Sequence, residues 1–491
     1  MGRLAEWLNE RTGLVDLRRA LLDRELPSRL TWWHTLGSAT LATFLVQVVT
    51  GAVLATFYAP TPDHAYDSVR YIERVVRAGS FVRGMHHWAA SFMVVLVLAH
   101  MVRVFSMGAY KYPREVNWAL GVALFVLVMG FGFTGYLLPW DQKAYWATQV
   151  GTSMAGTTPI VGAALAGLLR GGAQLGAATL TRFYALHVLW LPLLLGGLVC
   201  LHLGLVIRQG IAPRTTTLDA GAPPRTTAPE YGTFYRERYS ASKRAGVRFW
   251  PDIIAKDVIV ATVVVLLIAT LAATMGAGLE APADPTDTSY VPRPEWYFLP
   301  IFQLLSLVPG ELESAIAIGL PTALVLTLLT LPFFDTHSRR SLRRRPIAIG
   351  ALAVLIGGSS LLIGGAVRAD AGRARPEPGG VVLTSVQRAG RALFGQQQCG
   401  SCHVVRGDGG DEGPDLTEVG LHRSAAWLHS FIEQPKRFHP DSSDMPSFGP
   451  PILTHQEIEE IAQYLATLRG RPGSTAKPDI HDTFPQIPPT R

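Results

Sequence analysis

The sequence has 491 residues, of which 48% are hydrophobic and only 16% are charged. This balance is far more apolar than that of a soluble protein, and the chain is too long for one compact domain. The formal net charge of +7 is spread over several loops. Nucleic-acid binding is therefore not expected, because proteins of that class concentrate their basic residues in recognisable binding modules.

Residues 1–31 begin the chain with a charged stretch that includes Arg3, Glu6, Glu10 and Arg11. The stretch lacks the short basic region, apolar core and cleavage site of a signal peptide. We expect an amphipathic helix that lies on a membrane surface.

Seven apolar runs follow, each close to the roughly 20 residues that a helix needs to cross a bilayer. They cover residues 32–58, 85–107, 115–139, 183–209, 253–277, 314–334 and 346–367. Several are interrupted by Gly, which membrane helices tolerate. The sequence therefore predicts an all-α, polytopic membrane bundle of about seven helices with a C-terminal domain outside the membrane.

The distribution of Lys and Arg predicts the orientation, because cytoplasmic loops hold the excess of basic residues. With the N-terminus inside, the inner segments hold 23 Lys and Arg residues and the outer segments hold 8. The inner segments are 1–31, 103–114, 208–256 and 335–345, and the outer ones are 59–84, 140–182 and 279–313. Five arginines within 339–345 are most simply a stop-transfer anchor. Seven helices then place residues after 367 on the outer side.

Four histidines lie in two of these helices, where an ionisable side chain is costly and by default marks a function. His86 and His100 are fourteen residues apart, and His187 and His202 are fifteen apart. Each pair therefore stays near one helix face while spanning about 21 Å. Facing antiparallel helices could hold two haems, an outer one between His86 and His187 and an inner one between His100 and His202. One such histidine alone could equally be a packing residue. His87 points about 100° away from His86, and we interpret it as a packing or surface residue.

Glycines recur at the same interval in the first and third helices, as Gly37 with Gly51 and Gly121 with Gly135. A haem edge close to a helix leaves no room for a Cβ atom, which gives the interval a steric purpose. Packing of small residues between helices is the alternative. Three helix-end arginines could contact haem propionates or could reach the membrane surface, namely Arg83, Arg103 and Arg208.

Two of the three cysteines lie in the sequence Cys399-Gly-Ser-Cys402-His403. This C-x-x-C-H pattern is typical of c-type haem attachment, in which two thiols form thioethers and the histidine ligates the iron. A redox disulfide is the alternative, but His403 and the lack of a thioredoxin-like βαβ pattern disfavour it. Because haem is attached outside the cytoplasm, the motif independently places this domain on the outer side. The third cysteine, Cys200, is expected to be a small buried residue of the fourth helix.

Met445 is the candidate for the second axial ligand of the attached haem, because a thioether opposite histidine favours a high-potential carrier. It lies in a polar, Pro-flanked loop rather than on an apolar helix face. The alternative ligands are interpreted as surface residues, namely His422, His429, His439 and His455.

The rest of the C-terminal region fits a small helical domain that resembles a class I cytochrome c. We expect a helix near 385–397, a loop at 413–416 and a final helix at 455–468. The final helix has four residues spaced to face the haem, namely Ile461, Tyr464, Leu465 and Leu468.

Two further motifs are residues 135–142 (GYLLPWDQ) and residues 294–297 (PEWY). With the four histidines, they make residues 20–367 resemble the cytochrome b family of quinol:cytochrome c reductases, and within it the cytochrome b6 branch. Residues up to about 210 resemble the four-helix haem subunit. Residues 230–367 resemble the three-helix subunit that is a separate chain in chloroplast-type complexes.

The resemblance implies quinol oxidation at an outer-side site, coupled to proton translocation. Quinol oxidation releases two protons, so a carboxylate is needed beside the ring, and Glu295 is the candidate with Tyr297 positioning it. Tyr136, Asp141 and Tyr145 would line the other wall. A carboxylate favoured by a helix N-terminus is the alternative interpretation of Glu295.

The implied partners are a Rieske iron–sulfur protein, quinol, membrane lipid and a soluble acceptor such as a cytochrome c or a cupredoxin. The chain contains no C-x-x-H pair of Rieske ligands, so the iron–sulfur protein would be a separate subunit. A homodimeric, multisubunit complex in the bacterial cytoplasmic membrane is expected. Electrons would leave through the two b haems and, by way of the iron–sulfur protein, through the c haem.

The chain departs from chloroplast-type relatives at Thr35, where those relatives attach an additional haem through a cysteine. Threonine cannot form the thioether, so we expect two b haems and one c haem. The inner quinone pocket is only weakly indicated, by Arg208, Lys256 and Asp257.

The predicted segments run in chain order from a surface helix to a tail. They are a surface helix (1–31), a dihaem four-helix region (32–210), a cytoplasmic linker (211–252), a three-helix region (253–367), a linker (368–384), a cytochrome c domain (385–470) and a tail (471–491).

Two other functions compete with the reductase interpretation. A dihaem membrane anchor for a dehydrogenase or hydrogenase would explain the four histidines and the C-x-x-C-H motif. It would not explain residues 294–297 or the second membrane region. A redox sensor would need an output domain, and the sequence contains no recognisable one.

Overall fold

The computed structural model describes residues 3–27, 30–213, 215–280, 282–285, 293–373, 383–405, 410, 412–438 and 445–469. Among them, seven helices are long and apolar enough to span a membrane. These run over Trp32–Ala55, Gly79–Ser106, Glu115–Tyr136, Ala177–Gln209, Phe249–Met275, Ala315–Phe334 and Pro346–Ala369. The prediction of a multi-pass, all-α membrane protein is confirmed. Helices are the form expected, because they satisfy every backbone polar group within the segment itself.

The chain divides into two compact units, Met1–Leu279 with Ala283–Ala366 and Glu280–Pro282 with Val367–Arg491. The first unit contains α1 (Arg3–Thr12), α2 (Leu14–Leu22), β1 (Glu25–Leu26), α3 (Leu36–Ala55), α4 (Ala65–Arg74), α5 (Gly79–Ser106), α6 (Glu115–Tyr136), α7 (Gln142–Gly156), α8 (Gly162–Arg170), α9 (Ala177–Ala185), α10 (Leu191–Gln209), α11 (Thr215–Asp219), α12 (Tyr231–Arg244), β2 (Val247–Arg248), α13 (Ile254–Met275), α14 (Leu299–Leu305), α15 (Leu320–Phe334) and most of α16 (Pro346–Arg373). Strands β1 and β2 pair antiparallel, with Leu26 opposite Val247.

The N-terminal segment forms two short helices rather than the single helix expected over 1–31. Helix α1 ends at Thr12 and α2 begins at Leu14. Gly13 between them has φ +65°, a left-handed conformation that ends helices and that glycine adopts without a Cβ penalty. The apolar side chains of Leu4, Trp7 and Leu14 are exposed.

Two membrane helices begin earlier than their apolar runs. Helix α5 starts at Gly79, and α9 starts at Ala177 and continues through a π-turn (Leu186–Trp190) into α10. Arg83 is accommodated near the start of α5 by an ion pair with Glu73. His86 and His187 therefore lie about two and three turns inside their helices.

Helices from both halves of the membrane unit pack against each other. Helix α5 lies against α3 and α13, and α6 lies against α10 and α15. The Trp88 indole donates to the Gly276 carbonyl at 2.8 Å, and the Trp118 indole donates to the Leu328 carbonyl at 2.6 Å. The regions that resemble two separate subunits therefore form one bundle here.

A buried polar network joins the α5–α6 loop to the segment after α15. Lys111 Nζ donates to Asp335 Oδ1 at 2.7 Å, and Arg345 donates to Asp335 Oδ2 at 2.9 Å. The Tyr110 hydroxyl also donates to Asp335, and Arg340 donates to the Gly108 carbonyl. Arg340 and Arg345 are buried. These two arginines of the predicted stop-transfer cluster therefore tie the two halves together, whereas the other three arginines of the cluster are exposed.

The second unit contains α17 (Ser385–Gln396), α18 (Cys399–Cys402), α19 (Val419–His422), α20 (Ala425–Glu433), α21 (Pro435–Phe438) and α22 (His455–Leu465). Helices α17 and α22 cross so closely that a Cβ on Gly390 would lie 1.8 Å from the Glu460 carbonyl oxygen. The core contains Phe394 and all four residues expected on the inner face of the last helix, namely Ile461, Tyr464, Leu465 and Leu468.

Candidate functional site

The structure brings the rings of His86 of α5 and His187 of the π-turn close together. Their ring centroids are 6.3 Å apart and the ring planes are inclined by 73°. Two imidazoles that ligate one metal ion from opposite sides, with bonds of about 2 Å each, would have a similar distance between their ring centroids. A π-turn inside a membrane helix is rare and is frequently associated with function.

A threonine hydroxyl fixes the protonation of each ring in this pair. Thr50 Oγ1 donates to the Val46 carbonyl at 2.6 Å and lies 2.9 Å from His86 Nδ1. Thr134 Oγ1 donates to the Gly130 carbonyl and lies 3.1 Å from His187 Nδ1. Because each hydroxyl proton is already used, Nδ1–H must donate to the threonine. Nε2 then keeps its lone pair for a metal, as in sites where a second contact orients the ligand.

His100 and His202 form the second pair, further along α5 and α10. They lie within electrostatic range of each other. The Nδ1 atom of His100 is buried without a hydrogen-bond partner among the described residues, whereas His202 interacts with the backbone of Asn117.

All four predicted glycines lie directly opposite a histidine ring. A Cβ built on each glycine would approach a histidine Cε1 at 3.3 Å for Gly37 and His100, 3.1 Å for Gly51 and His86, 3.7 Å for Gly121 and His202, and 2.5 Å for Gly135 and His187. The smallest residue therefore borders each ring, and the glycines leave room for the histidine rings themselves.

The three predicted propionate arginines differ in their surroundings. Arg83 is engaged by Glu73 and by the carbonyls of Ala277 and Gly278, which favours a structural role. Arg208 is exposed. Arg103 is different, because its Nε and Nη2 atoms are buried without a partner among the described residues.

Arg114 adds a second buried cation near Arg103, with which it interacts electrostatically. Its Nε and Nη2 donate to the Gly210 and Gln209 carbonyls, while Nη1 has no partner in the described part of the chain. Buried guanidinium nitrogens without partners are costly, so this region fits an anionic group.

Lys256 and Asp257, which the sequence indicates for the inner quinone pocket, each have a partner near the N-terminal end of the first span. Lys256 Nζ donates to the Leu30 carbonyl at 3.2 Å, and Asp257 is hydrogen-bonded by Ser38. His34 lies within electrostatic range of Arg103 and Lys256.

A cavity of about 240 Å³ lies between α6, α7, α14 and the start of the sixth span. Its wall is apolar apart from Tyr136 and Glu295 and includes Phe133, Phe298 and Phe302. An aromatic, largely apolar cavity with a few polar groups is typical of a small-molecule site.

Glu295 is paired with Lys143, a residue that the sequence analysis did not select. Lys143 Nζ lies 3.0 Å from Glu295 Oε1 and 5.2 Å from the centre of the Tyr136 ring. His87, next to His86, is in electrostatic range of both Glu295 and Lys143. The carboxylate therefore lies near the turn of α5 that carries His87.

The other predicted quinol-site residues lie around this cavity rather than in its described wall. Asp141 caps α7 by accepting from the Ala144 amide at 2.8 Å, and Tyr145 is buried in a core cluster with Trp140. The Tyr297 ring packs on Gly132. Burial and the negative charge of Glu295 raise the pKa of Tyr297, so its phenol stays protonated.

The C-x-x-C-H segment forms the short helix α18. His403 Nδ1 lies 2.9 Å from the Pro414 carbonyl oxygen, and since a carbonyl only accepts, Nδ1–H must donate. Nε2 is left as the ligand atom. A Cβ on Gly413 would lie 2.6 Å from the His403 ring. Burial raises the pKa of the Cys399 thiol to about 12.

The remaining ligand candidates have varied surroundings. Met445 is half-buried and packs against the core of the second unit. His422 and His455 are exposed and His429 is half-buried, whereas His439 lies outside the described residues. The Cys200 side chain is exposed rather than packed against another helix. The expectation that it is buried is therefore wrong.

Sequence signals for the missed residues exist. Thr50 precedes Gly51 and Thr134 precedes Gly135, so a repeated Thr-Gly pair marks both rings of the first histidine pair. Lys143 directly follows the GYLLPWDQ motif. Nothing in the local sequence distinguishes Arg114 from other loop arginines.

Three family models match successive parts of the chain. Residues 21–210 match the model described as cytochrome b/b6/petB, and residues 282–371 match cytochrome b(C-terminal)/b6/petD. Residues 387–469 match the model described as cytochrome c. All three matches agree with the resemblances stated from the sequence.

Individual relatives cover the first part of the chain. The menaquinol:cytochrome c reductase cytochrome b subunit of Geobacillus thermodenitrificans is 42% identical over 220 residues, which are 43% of this chain and 98% of the relative. Cytochrome b6 of Heliobacterium mobile is 45% identical over 208 residues, which are 42% of this chain and 98% of the relative.

A solved structure extends the likeness to most of the chain. A chain of a hyperthermophilic respiratory Complex III is similar with a TM-score of 0.62 and 27% identity, covering 73% of this chain and 90% of that one. These families imply haem cofactors and an oxidoreductase role within a complex. The chain therefore belongs to the cytochrome b/b6 family, and the same polypeptide continues into a b6/petD-type region and a cytochrome c domain.

Proposed function

We propose that this chain oxidises quinol at the Glu295 cavity and conducts the electrons through two b haems and one c haem, as a subunit of a quinol:cytochrome c reductase. The main support for the proposal is that the cavity lies next to the first histidine pair. Tyr136 lines the cavity while its neighbour Gly135 faces His187. His87, beside His86, interacts with Glu295.

The residues present fit the haems that the families imply. His86 with His187 and His100 with His202 would hold the b haems, and Cys399, Cys402, His403 and Met445 would hold the c haem. Bound haem supplies one-electron redox chemistry at these positions. The threonines at the first pair and Pro414 at His403 would keep each ring in the tautomer that ligates through Nε2.

Arg103 and Arg114 are the best candidates to bind propionates near the second histidine pair. Each has buried guanidinium nitrogens with no partner among the described residues. Arg83 and Arg208 have weaker support, because Arg83 is already paired and Arg208 is exposed.

Within the cavity, Glu295 would accept a proton from the quinol hydroxyl. The ion pair with Lys143, at 3.0 Å, would fix the position of this side chain in the cavity wall. The largely apolar wall excludes water and strengthens this interaction. Tyr297 would position the substrate or the carboxylate as a neutral hydrogen-bond donor.

The proposal extends to partners and orientation. A Rieske iron–sulfur protein would take one electron and pass it toward the c haem, and a soluble cytochrome c or cupredoxin would receive it. The loop charges support an inside N-terminus and an outside cytochrome domain, with Glu295 on the outer side. We place the chain in a homodimeric complex of a bacterial cytoplasmic membrane that couples the reaction to proton translocation.

The test is quinol oxidation by the purified complex with a cytochrome c acceptor, comparing wild type with Glu295→Gln. Loss of one general base is expected to slow turnover by about 10²-fold or more. Glu313→Gln is the matched control, because Glu313 is exposed. The proton-acceptor role is refuted if Glu295→Gln keeps the wild-type rate and pH profile.

A further inference from the structure

Three side chains of the second unit converge beyond the C-x-x-C-H motif. His429 and Glu433 are one turn apart on α20, and His455 is the first residue of α22. One nitrogen of each histidine and one carboxylate oxygen lie within 4.8 Å of one another. We propose that His429, Glu433 and His455 form a binding site for a divalent transition-metal ion of the zinc class.

The donor set matches the chemistry of zinc. Two imidazole nitrogens and one carboxylate oxygen are a known tetrahedral set that leaves a fourth position for water. Neutral imidazoles with one carboxylate reduce the charge of the ion from +2 to +1, which suits a partly exposed surface. Hard cations such as Mg²⁺ prefer all-oxygen sites and are disfavoured.

The ligands are partly preorganised. His429 Nε2 lies 3.2 Å from the His455 carbonyl oxygen, a ring-to-carbonyl contact of the kind that orients metal ligands. His455 Nδ1 lies 3.7 Å from Glu433 Oε1, and the side chain of Glu433 is only 23% exposed. The two imidazole rings are stacked with centroids 6.0 Å apart.

The ends of two helices also act electrostatically on an ion at this site. Glu433 is the last residue of α20, where the helix dipole favours a cation. His455 starts α22, where the dipole opposes a cation, but the Glu457 carboxylate in the same turn offsets it. The half-buried Glu433 carboxylate is thus the anionic ligand of the site, and His455 is the only cation that contacts it directly among the described residues.

The alternative is an ordinary surface ion pair. Glu433 and His455 could attract each other when His455 is protonated, without any metal. That pair would not involve His429, and it would strengthen as the pH falls. A metal site behaves in the opposite way, because protonated imidazole cannot ligate.

Metal binding would also tie the segment that follows Met445 to the two helices. Ser447 Oγ donates to the Glu433 carbonyl at 2.6 Å, and the Phe448 amide donates to the Ile432 carbonyl at 3.1 Å. An ion that joins α20 to α22 would hold the end of α20 that anchors this segment. Residues 445–449 should then exchange their amide hydrogens more slowly when the ion is bound.

The experiment uses the purified full-length complex, stripped with a chelator and equilibrated with Zn²⁺ at pH 7.5. Bound zinc per chain is measured by mass spectrometry for wild type, His429→Gln and His455→Gln, with His422→Gln as the matched control because His422 is exposed in the same unit. Wild type and the control should bind one more zinc than either test variant. Equal binding by all four proteins overturns the proposal.

A second measurement separates the metal site from the ion pair and from misfolding. Hydrogen exchange in residues 425–433 and 445–458 is compared with and without Zn²⁺ at pH 7.5 and pH 5.5. Protection that needs zinc, is lost at pH 5.5 and is absent in His455→Gln supports the site. Protection that is independent of zinc and greater at pH 5.5 shows the ion pair only and overturns it. The binding site does not depend on the proposed quinol chemistry.

Discussion

Gly135 is the position where the first histidine pair leaves the least space. A Cβ there would lie 2.5 Å from His187 Cε1, closer than real contacts allow. Gly135→Ala should displace the His187 ring and remove one of the two b haems, so that the b:c haem ratio falls from two to about one. A pyridine haemochrome assay measures the ratio.

Gly130→Ala on the same helix is the matched control, because nothing lies within 4 Å of a Cβ at Gly130. It should keep the wild-type ratio. An unchanged ratio in Gly135→Ala would show that His187 does not need its present position to hold haem.

Lys143 should hold the Glu295 carboxylate in its position at the cavity. In Lys143→Gln the ion pair at 3.0 Å is lost, so quinol oxidation should slow several-fold. A partly exposed ion pair contributes about 1 kcal/mol at most, which corresponds to a factor of about five in rate. Lys143→Arg keeps the charge and should keep the wild-type rate. Equal rates of quinol oxidation in Lys143→Gln and wild type would show that Lys143 has no part in the reaction.

For single residues, the sequence predicts those that recur at a regular spacing along a helix. The intervals of the four histidines and four glycines follow from helix periodicity, so each glycine could be assigned to a haem-facing stripe. The Lys143–Glu295 pair joins residues 152 positions apart. No local pattern reports such a contact, because it depends on how α7 is placed against the loop before α14.

Helices α17 and α22 of the second unit owe their close crossing to Gly390. A methyl group there would collide with the Glu460 backbone. Gly390→Ala should separate the helices, lower the thermal midpoint of the cytochrome domain and cost about 2 kcal/mol or more. Gly395→Ala on the same helix has open space at its Cβ and serves as the control. Equal midpoints, measured by the loss of the c-haem absorbance signal on heating, would contradict the close packing.

The Asp335 network should stabilise the contact between the two halves of the membrane unit. Burial alone would raise the pKa of Asp335, but hydrogen bonds from Lys111 and Tyr110 hold it below its usual value. A lowered carboxyl pKa gives stability that is present above the unfolded-state value near 4 and is lost as the pH falls below it. Asp335→Asn leaves buried Lys111 without its anion and should cost about 3 kcal/mol at pH 7.

Thermal unfolding of the purified protein at pH 7 and at pH 4 and below tests this prediction. The difference between wild type and Asp335→Asn should shrink as the pH falls. The exposed Asp63→Asn is the control and should match wild type at every pH. A constant difference across the range would contradict an ionised Asp335 in the folded state.

At the element scale, hydrophobicity predicted the seven spans but not all their ends. Helices α5 and α9 begin before their apolar runs because Arg83 and Arg182 are satisfied by Glu73 and by the Leu168 carbonyl. The helix break at Gly13 can be predicted from the glycine itself. The burial of Arg340 cannot be predicted from the local sequence, because the two carbonyl groups that accept its hydrogen bonds lie on the α5–α6 loop, more than 200 residues earlier.

The whole molecule should carry a fixed set of haems. The purified chain should contain two b haems for each c haem, because Thr35 offers no thiol for a further attachment. Its Thr35 hydroxyl instead donates to the Trp32 carbonyl at 2.7 Å. A pyridine haemochrome ratio other than two to one would refute this complement.

The central claim is that quinol delivers electrons to both branches of this chain. Stopped-flow spectroscopy of the oxidised complex, mixed with quinol under anaerobic conditions, follows the b and c haem bands separately. The account predicts that both bands become reduced, and that Glu295→Gln slows both to the same extent. Reduction of the b haems with no reduction of the c haem, at wild-type rate in Glu295→Gln, would instead indicate a dihaem anchor and contradict the account.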